Sequence, residues 1–285
     1  MRQDWVMETR SLWLVRHGQA SFGKSDYDNL SEAGHEQAYL LGKDFARRGI
    51  TPSLLVSGSM KRHRQTLAEI AAGAGWTLTD VTDDTETAEA SAKGDKTKKD
   101  KADRAKSATT DVPDLGADIS VTHAPPVLRR RLDERWNELD HRALLTAYKP
   151  AYKNMLVLKA DMVRTLRPRI AFEDTFAKAV DRWSSGDFDH DYPESFTEFA
   201  TRINDALGSI VDGTEEHVVV VTSAGPVCWT MAHLAAADSL DAWKQFTLAA
   251  VNTGVTRITI DRHGPHVLTF NEFTHLDGPD LVTNR

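Results

Sequence analysis

The stretch Ser11-Leu12-Trp13-Leu14-Val15-Arg16-His17-Gly18-Gln19-Ala20 decides the fold. Its first half is short, apolar and rich in strand formers, and its second half turns abruptly polar. That pattern predicts a buried strand over residues 11–15 ending at Arg16-His17-Gly18. In open α/β sheets the carboxyl edge of the strands is where ligands sit. Arg16 brings a permanent cation whose planar fork matches phosphate oxygens. His17 brings a nitrogen nucleophile that is neutral over much of the physiological range. Gly18 is expected to let the backbone approach a ligand closely.

Working outward, Ser31 precedes a helical pattern with Ala38, Leu41 and Phe45 on one face and Gly49 as its stop. Residues 53–56 read as a second strand. A helix over about 60–72 follows, closed by Gly73 and Gly75. Residues 142–190 are helix-rich and without strong strand signals, which suggests a helical cap. Pro193 and Glu194 open a further helix to about Val211. The run Val218-Val219-Val220-Val221 has the continuous apolar character of a central parallel strand. A helix from Pro226 and two closing strands, over 255–260 and 267–270, complete the pattern. Strands alternating with helices imply an α/β fold with a largely parallel sheet. Residues 80–125 stand apart: acids come first, then a Lys/Ala-rich run with almost no large apolar side chains. Such a segment buries too little surface to order itself and reads as a disordered charged insertion in one domain spanning 1–285.

The chain has 285 residues, 40% hydrophobic and 27% charged, with a net charge of −7. That balance argues against nucleic acid or an anionic membrane as a bulk partner. A single cysteine, Cys228, forbids an intrachain disulfide and reads as a buried structural thiol. No apolar run approaches the ~18 residues of a membrane span. Acids at Asp4 and Glu8 do not fit a signal peptide, so a cytoplasmic protein is expected.

Four further segments accompany Arg16-His17-Gly18 in order. They are Leu30-Ser31-Glu32-Ala33-Gly34-His35-Glu36-Gln37-Ala38, Ser59-Met60-Lys61-Arg62-His63-Arg64-Gln65-Thr66, Asn252-Thr253-Gly254-Val255-Thr256, and Phe270-Asn271-Glu272-Phe273-Thr274-His275-Leu276. Together they resemble the histidine phosphatase superfamily, which includes the phosphoglycerate mutases. The resemblance implies a three-layer α/β/α sandwich with a mostly parallel central sheet. It also implies that His17 accepts the phosphoryl group, held by Arg16 and Arg62 with Gly18 and Gln19. Glu138, in Trp136-Asn137-Glu138-Leu139-Asp140-His141, is favoured as general acid over Glu134, in Leu132-Asp133-Glu134-Arg135. The implied substrate is a small phosphate ester, with no metal or other cofactor.

One departure stands out. The family usually ends its central strand with a second histidine, where this chain has Ser223. A serine hydroxyl can donate a hydrogen bond but brings no positive charge. Losing a preorganised donor of this kind typically costs ~10²–10³ in rate. His63, beside Arg62, is a candidate substitute cation, and His275 a candidate packing or hydrogen-bonding residue. The leading expectation is a phosphatase working through phosphohistidine. A non-catalytic phosphate receptor is the alternative, and a mutase is less expected.

Overall fold

The computed structural model describes residues 9–21, 28–81, 124–164, 167–235 and 240–284. Among them, seven strands form one sheet: β1 (Arg10–Arg16), β2 (Leu54–Ser57), β3 (Thr77–Asp80), β4 (Val127–Leu132), β5 (His217–Thr222), β6 (Val255–Asp261) and β7 (Gly264–Glu272). Their spatial order is β3-β4-β2-β5-β1-β6-β7. Strands β1 to β5 run parallel, and β6 and β7 close one side antiparallel. The helices are α1 (Glu32–Arg47), α2 (Lys61–Ala74), α3 (His141–Tyr148), α4 (Met155–Val163), α5 (Pro168–Ser184), α6 (Phe196–Val211), α7 (Ala224–Leu234) and α8 (Leu240–Ala249).

The alternation of side chains along β1 sorts the layers. Trp13 and Val15 face one core with Ala38, Leu41 and Phe45 of α1 and Leu67 and Ile70 of α2. Leu12 and Leu14 face the other, with Trp183 of α5, Phe199 and Ile203 of α6, Val227 and Cys228 of α7 and Trp243 of α8. The expected three-layer sandwich with a mostly parallel sheet is therefore the fold. Ser31 caps α1 by accepting from Gly34 N, and Gly75 ends α2 with φ 71°. Helix α6 opens on a reciprocal capping box between Ser195 and Glu198.

Two strands escape the sequence pattern. Strand β3 is short, polar and largely exposed at the sheet edge. Strand β4 carries three consecutive arginines, which hide its period of two; Arg130 is neutralised across the ladder by Asp80. Helix α7 begins at Ala224, two residues before the expected Pro226. Proline is tolerated there because first-turn N–H groups lack intrahelical partners anyway. The expected disordered insertion, for residues 82–123, lies outside the described residues. The helix-rich span expected over 142–190 contains α3, α4 and α5. Among the described residues no helix is long and apolar enough to cross a membrane. Cys228 is buried, and burial pushes its thiol up to about 12.

Candidate active site

Adjacent parallel strands β4, β2, β5 and β1 end at one edge of the sheet, and each leads into one part of the site. Strand β1 delivers Arg16 and His17. Strand β2 leads through Gly58 into α2, which carries Arg62 and His63. Strand β4 leads to Glu138, and β5 to Ser223 at the cap of α7.

The backbone of His17 is clamped: its N–H donates to Thr222 O at 2.8 Å, and its carbonyl accepts from Asn252 Nδ2 at 3.1 Å. Its ring Nδ1 lies 2.7 Å from Gly18 O. A carbonyl only accepts, so Nδ1 holds the hydrogen and Nε2 keeps its lone pair. Burial, then the charges of Arg62 and Arg16, hold the imidazole well below its ordinary value of 6.5. His17 is thus a neutral, oriented base near neutrality. Thr253, at φ 57°, donates its N–H to Arg16 O at 3.0 Å, and its hydroxyl meets His275 Nε2 at 2.9 Å. His275 thereby has a hydrogen-bonding role, holding this strained turn behind His17.

Both arginines are buried. Arg16 Nη1 donates to Ala250 O at 2.6 Å. Arg62 Nη1 pairs with Asp28 Oδ1 at 2.8 Å, while Asp28 Oδ2 accepts from Lys61 N at 2.8 Å. Asp28 thereby caps α2, whose own cap residue Met60 makes no side-chain cap bond. Arg62 Nε is buried with no hydrogen-bond partner among the described residues. Asp28 thus fixes the orientation of a buried guanidinium whose charge reaches His17.

Glu138 and Glu134 separate clearly. Glu138 is half-buried at the α7 N-terminus, with Oε2 3.3 Å from Gly225 N. Glu134 is exposed in a 3₁₀ turn over Glu134–Trp136. His141 joins Glu138: burial lowers its pKa, with Glu138 opposing that shift and Arg62 and Arg16 adding to it.

Gly18 has a packing role beside the ligand approach expected of it. It permits a close approach to α1, because a Cβ there would stand 2.3 Å from Gly34 O. Its N–H donates to Thr66 Oγ1 at 3.0 Å. Gln19 is likewise engaged with α1: its N–H donates to Gln37 Oε1 and its Oε1 accepts from Ser31 Oγ. Gly34 reciprocates the packing, since a Cβ there would stand 2.2 Å from Gln19 O. Gly34→Ala should therefore cost ~1–3 kcal/mol through overpacking, read as a lower urea midpoint, despite alanine's better helix propensity.

His63 is fully buried, and its Nε2 lies 2.7 Å from Ser223 Oγ. Burial and the adjacent Arg62 hold it well below 6.5, so it is no substitute cation near neutral pH. His17 and His63 stay neutral in the fold but protonate below about 6.5 once unfolded. Below 6.5 the unfolded chain therefore binds more protons, and stability falls as pH falls, by up to about 1.4 kcal/mol per pH unit for each group. Urea unfolding from pH 7.5 to 5 checks this; a stability that rose toward pH 5 would contradict it.

Sequence reasoning missed Asp28 and His141. Asp28 acts across 34 positions on Arg62 and carries no local pattern. His141 was visible only as the end of the Glu138 segment.

The family model of the histidine phosphatase superfamily, branch 1, matches residues 12–144 and 167–272. No curated protein matches the chain. Among solved structures, a phosphoglycerate mutase from Bacillus anthracis is 15% identical, with a TM-score of 0.52 over 94% of this chain and 96% of its own. A phosphoserine phosphatase mutant from Entamoeba histolytica, in complex with phosphoserine, is 13% identical, with a TM-score of 0.50 over 93% of this chain and 98% of its own. A Bacillus stearothermophilus protein, YhfR, is 17% identical, with a TM-score of 0.50 over 93% and 98%. These similarities are of fold, while the family match spans both halves of the site. The chain belongs to the histidine phosphatase superfamily, branch 1.

Proposed function

We propose that the protein is a phosphoric-monoester hydrolase acting through a phosphohistidine on His17. The observation that carries this is the state of His17: neutral, pinned at Nδ1 by Gly18 O, and within the field of two buried guanidiniums. In the first step Nε2 attacks phosphorus and the ester P–O bond breaks. Glu138 gives its proton to the leaving oxygen. In the second step Glu138, now a carboxylate, takes a proton from water; the water oxygen attacks phosphorus and the P–N bond breaks. Arg16 and Arg62 neutralise the phosphoryl oxygens throughout, so catalysis rests on positioning and fixed charge. Ser223 stands where the family's second histidine would donate. With a neutral hydroxyl in that place, turnover is expected to be slow.

The test is to mix the protein with a panel of small phosphate esters, quench within milliseconds, and map acid-labile phosphate by mass spectrometry. Phosphate on His17 together with released inorganic phosphate supports the hydrolase. Phosphate binding with no transfer to His17 would make the protein a phosphate receptor. Transfer to a second substrate hydroxyl in preference to water would make it a mutase.

A further inference from the structure

The pair of His63 and Ser223 holds two hydrogens and one hydrogen bond. Both residues are fully buried, and the only contact joining their polar atoms is Nε2 to Oγ at 2.7 Å. Ser223 is the cap residue of α7, yet its hydroxyl makes no cap bond to that helix. A serine at this position ordinarily turns its oxygen onto its own helix; here the oxygen is diverted to His63.

The tautomer follows from the surroundings. His63 Nδ1 has no hydrogen-bond partner among the described residues. It faces Gly58 so closely that a Cβ on Gly58 would stand 2.3 Å from it. A hydrogen on Nδ1 would be a buried donor with no acceptor in hydrogen-bond reach, since Asn137 Oδ1, which borders the same gap beside Gly58, accepts from Ser59 N instead; folded proteins avoid such orphaned donors. The hydrogen therefore sits on Nε2 and is donated to Ser223 Oγ. The serine O–H is then left without an acceptor among the described residues, and unlike a ring N–H it can rotate. His17 lies beside it: its N–H is bonded to Thr222 O, the carbonyl just before Ser223, and its ring centroid is 5.7 Å from that of His63.

We propose that His63 is a positioning residue which, by occupying Ser223 Oγ with its own N–H, turns the serine hydroxyl into a dedicated donor to the phosphoryl group at His17. The two residues then act as one unit, a neutral donor assembled from β5 and α2. The proposal rests on the phosphate-site reading above. It also has a steric corollary. The imidazole of His63, seated against Gly58 and touching Ser223, leaves no room for a second imidazole at position 223.

Two measurements decide it, and neither needs turnover. In the wild-type protein, nitrogen-15 NMR of His63 should show a neutral ring protonated at Nε2; a ring protonated at Nδ1, or one that becomes charged when inorganic phosphate binds, overturns the proposal. Affinity for inorganic phosphate should fall about tenfold in both Ser223→Ala and His63→Ala, the worth of roughly one hydrogen bond. The double variant should be no weaker than the weaker single, because the residues form one unit. Additive losses, or unchanged affinity in both singles, overturn it.

If the wild type turns over, kcat separates the role further. Ser223→His alone should lower kcat, because the space is filled. The combined variant His63→Ala with Ser223→His should exceed both single substitutions. A rise in kcat for Ser223→His alone overturns the steric corollary and the pairing with it. An inactive wild type with the expected NMR and phosphate results would sink the hydrolase reading and leave the pair standing.

Discussion

His17→Ala is expected to lose turnover by on the order of 10⁴–10⁶-fold, the scale at which removing a covalent nucleophile ends catalysis. Three features concentrate that effect on one atom. The Gly18 carbonyl fixes Nδ1 as donor and leaves Nε2 with its free lone pair. Burial and two arginines keep the ring unprotonated, so the lone pair is available below the pH at which a free histidine would charge. The Thr222 and Asn252 contacts hold the backbone from both sides. The same substitution should leave inorganic phosphate affinity within a few fold, because Arg16 and Arg62 remain and a neutral ring contributes little charge. Parallel steady-state kinetics and phosphate titration read the two effects apart. Residual turnover within tenfold of wild type would show that water, not His17, attacks phosphorus.

The parts of this fold that were legible in the sequence are those whose pattern is local. Strand β1, the valine run of β5 and the apolar stripe of α1 announce themselves by periodicity, and the Ser31 cap and Gly75 stop mark helix ends. Strand β4, between β3 and β2, did not, because two of its three arginines are satisfied by partners distant in sequence, Asp80 for Arg130 and Glu215 for Arg129. The site divides the same way. Arg16, His17 and Arg62 lie inside recognisable motifs. Gly18 is required by a contact no local pattern shows, the close packing of its backbone on Gly34 across the α1 interface. His63 was visible as a residue and not as a partner: its bond to Ser223 spans 160 positions. A histidine next to a motif arginine reads as a cation until burial is known, and burial here holds its pKa well below the ordinary value. What sequence conveys poorly is the protonation state, because that depends on neighbours the chain brings together only on folding.

Glu138→Gln carries the second large expectation, a fall in kcat of ~10²–10⁴-fold, the range for loss of a positioned general acid and base. Glutamine keeps the size of the side chain and can still accept from Gly225 N, so the α7 contact should survive and stability should change little. What it loses is the proton for the leaving oxygen in the first step and the base for water in the second. The size of the loss should therefore depend on the substrate. For an alkyl phosphate, whose leaving oxygen needs a proton as the P–O bond breaks, formation of phosphohistidine itself should slow. For an activated aryl phosphate, whose leaving oxygen departs as an anion, that step should be nearly unaffected, and the intermediate should accumulate because its hydrolysis still needs a base. A burst of phenolate followed by slow turnover is the expected signature in Glu138→Gln. Glu134→Gln should behave as wild type with both substrates, since Glu134 is exposed on its 3₁₀ turn while Glu138 lies at the α7 N-terminus among the residues of the site. Equal losses in the rate of phosphohistidine formation from alkyl and aryl esters would remove the acid role from Glu138 and leave it a residue that merely orients the α7 N-terminus.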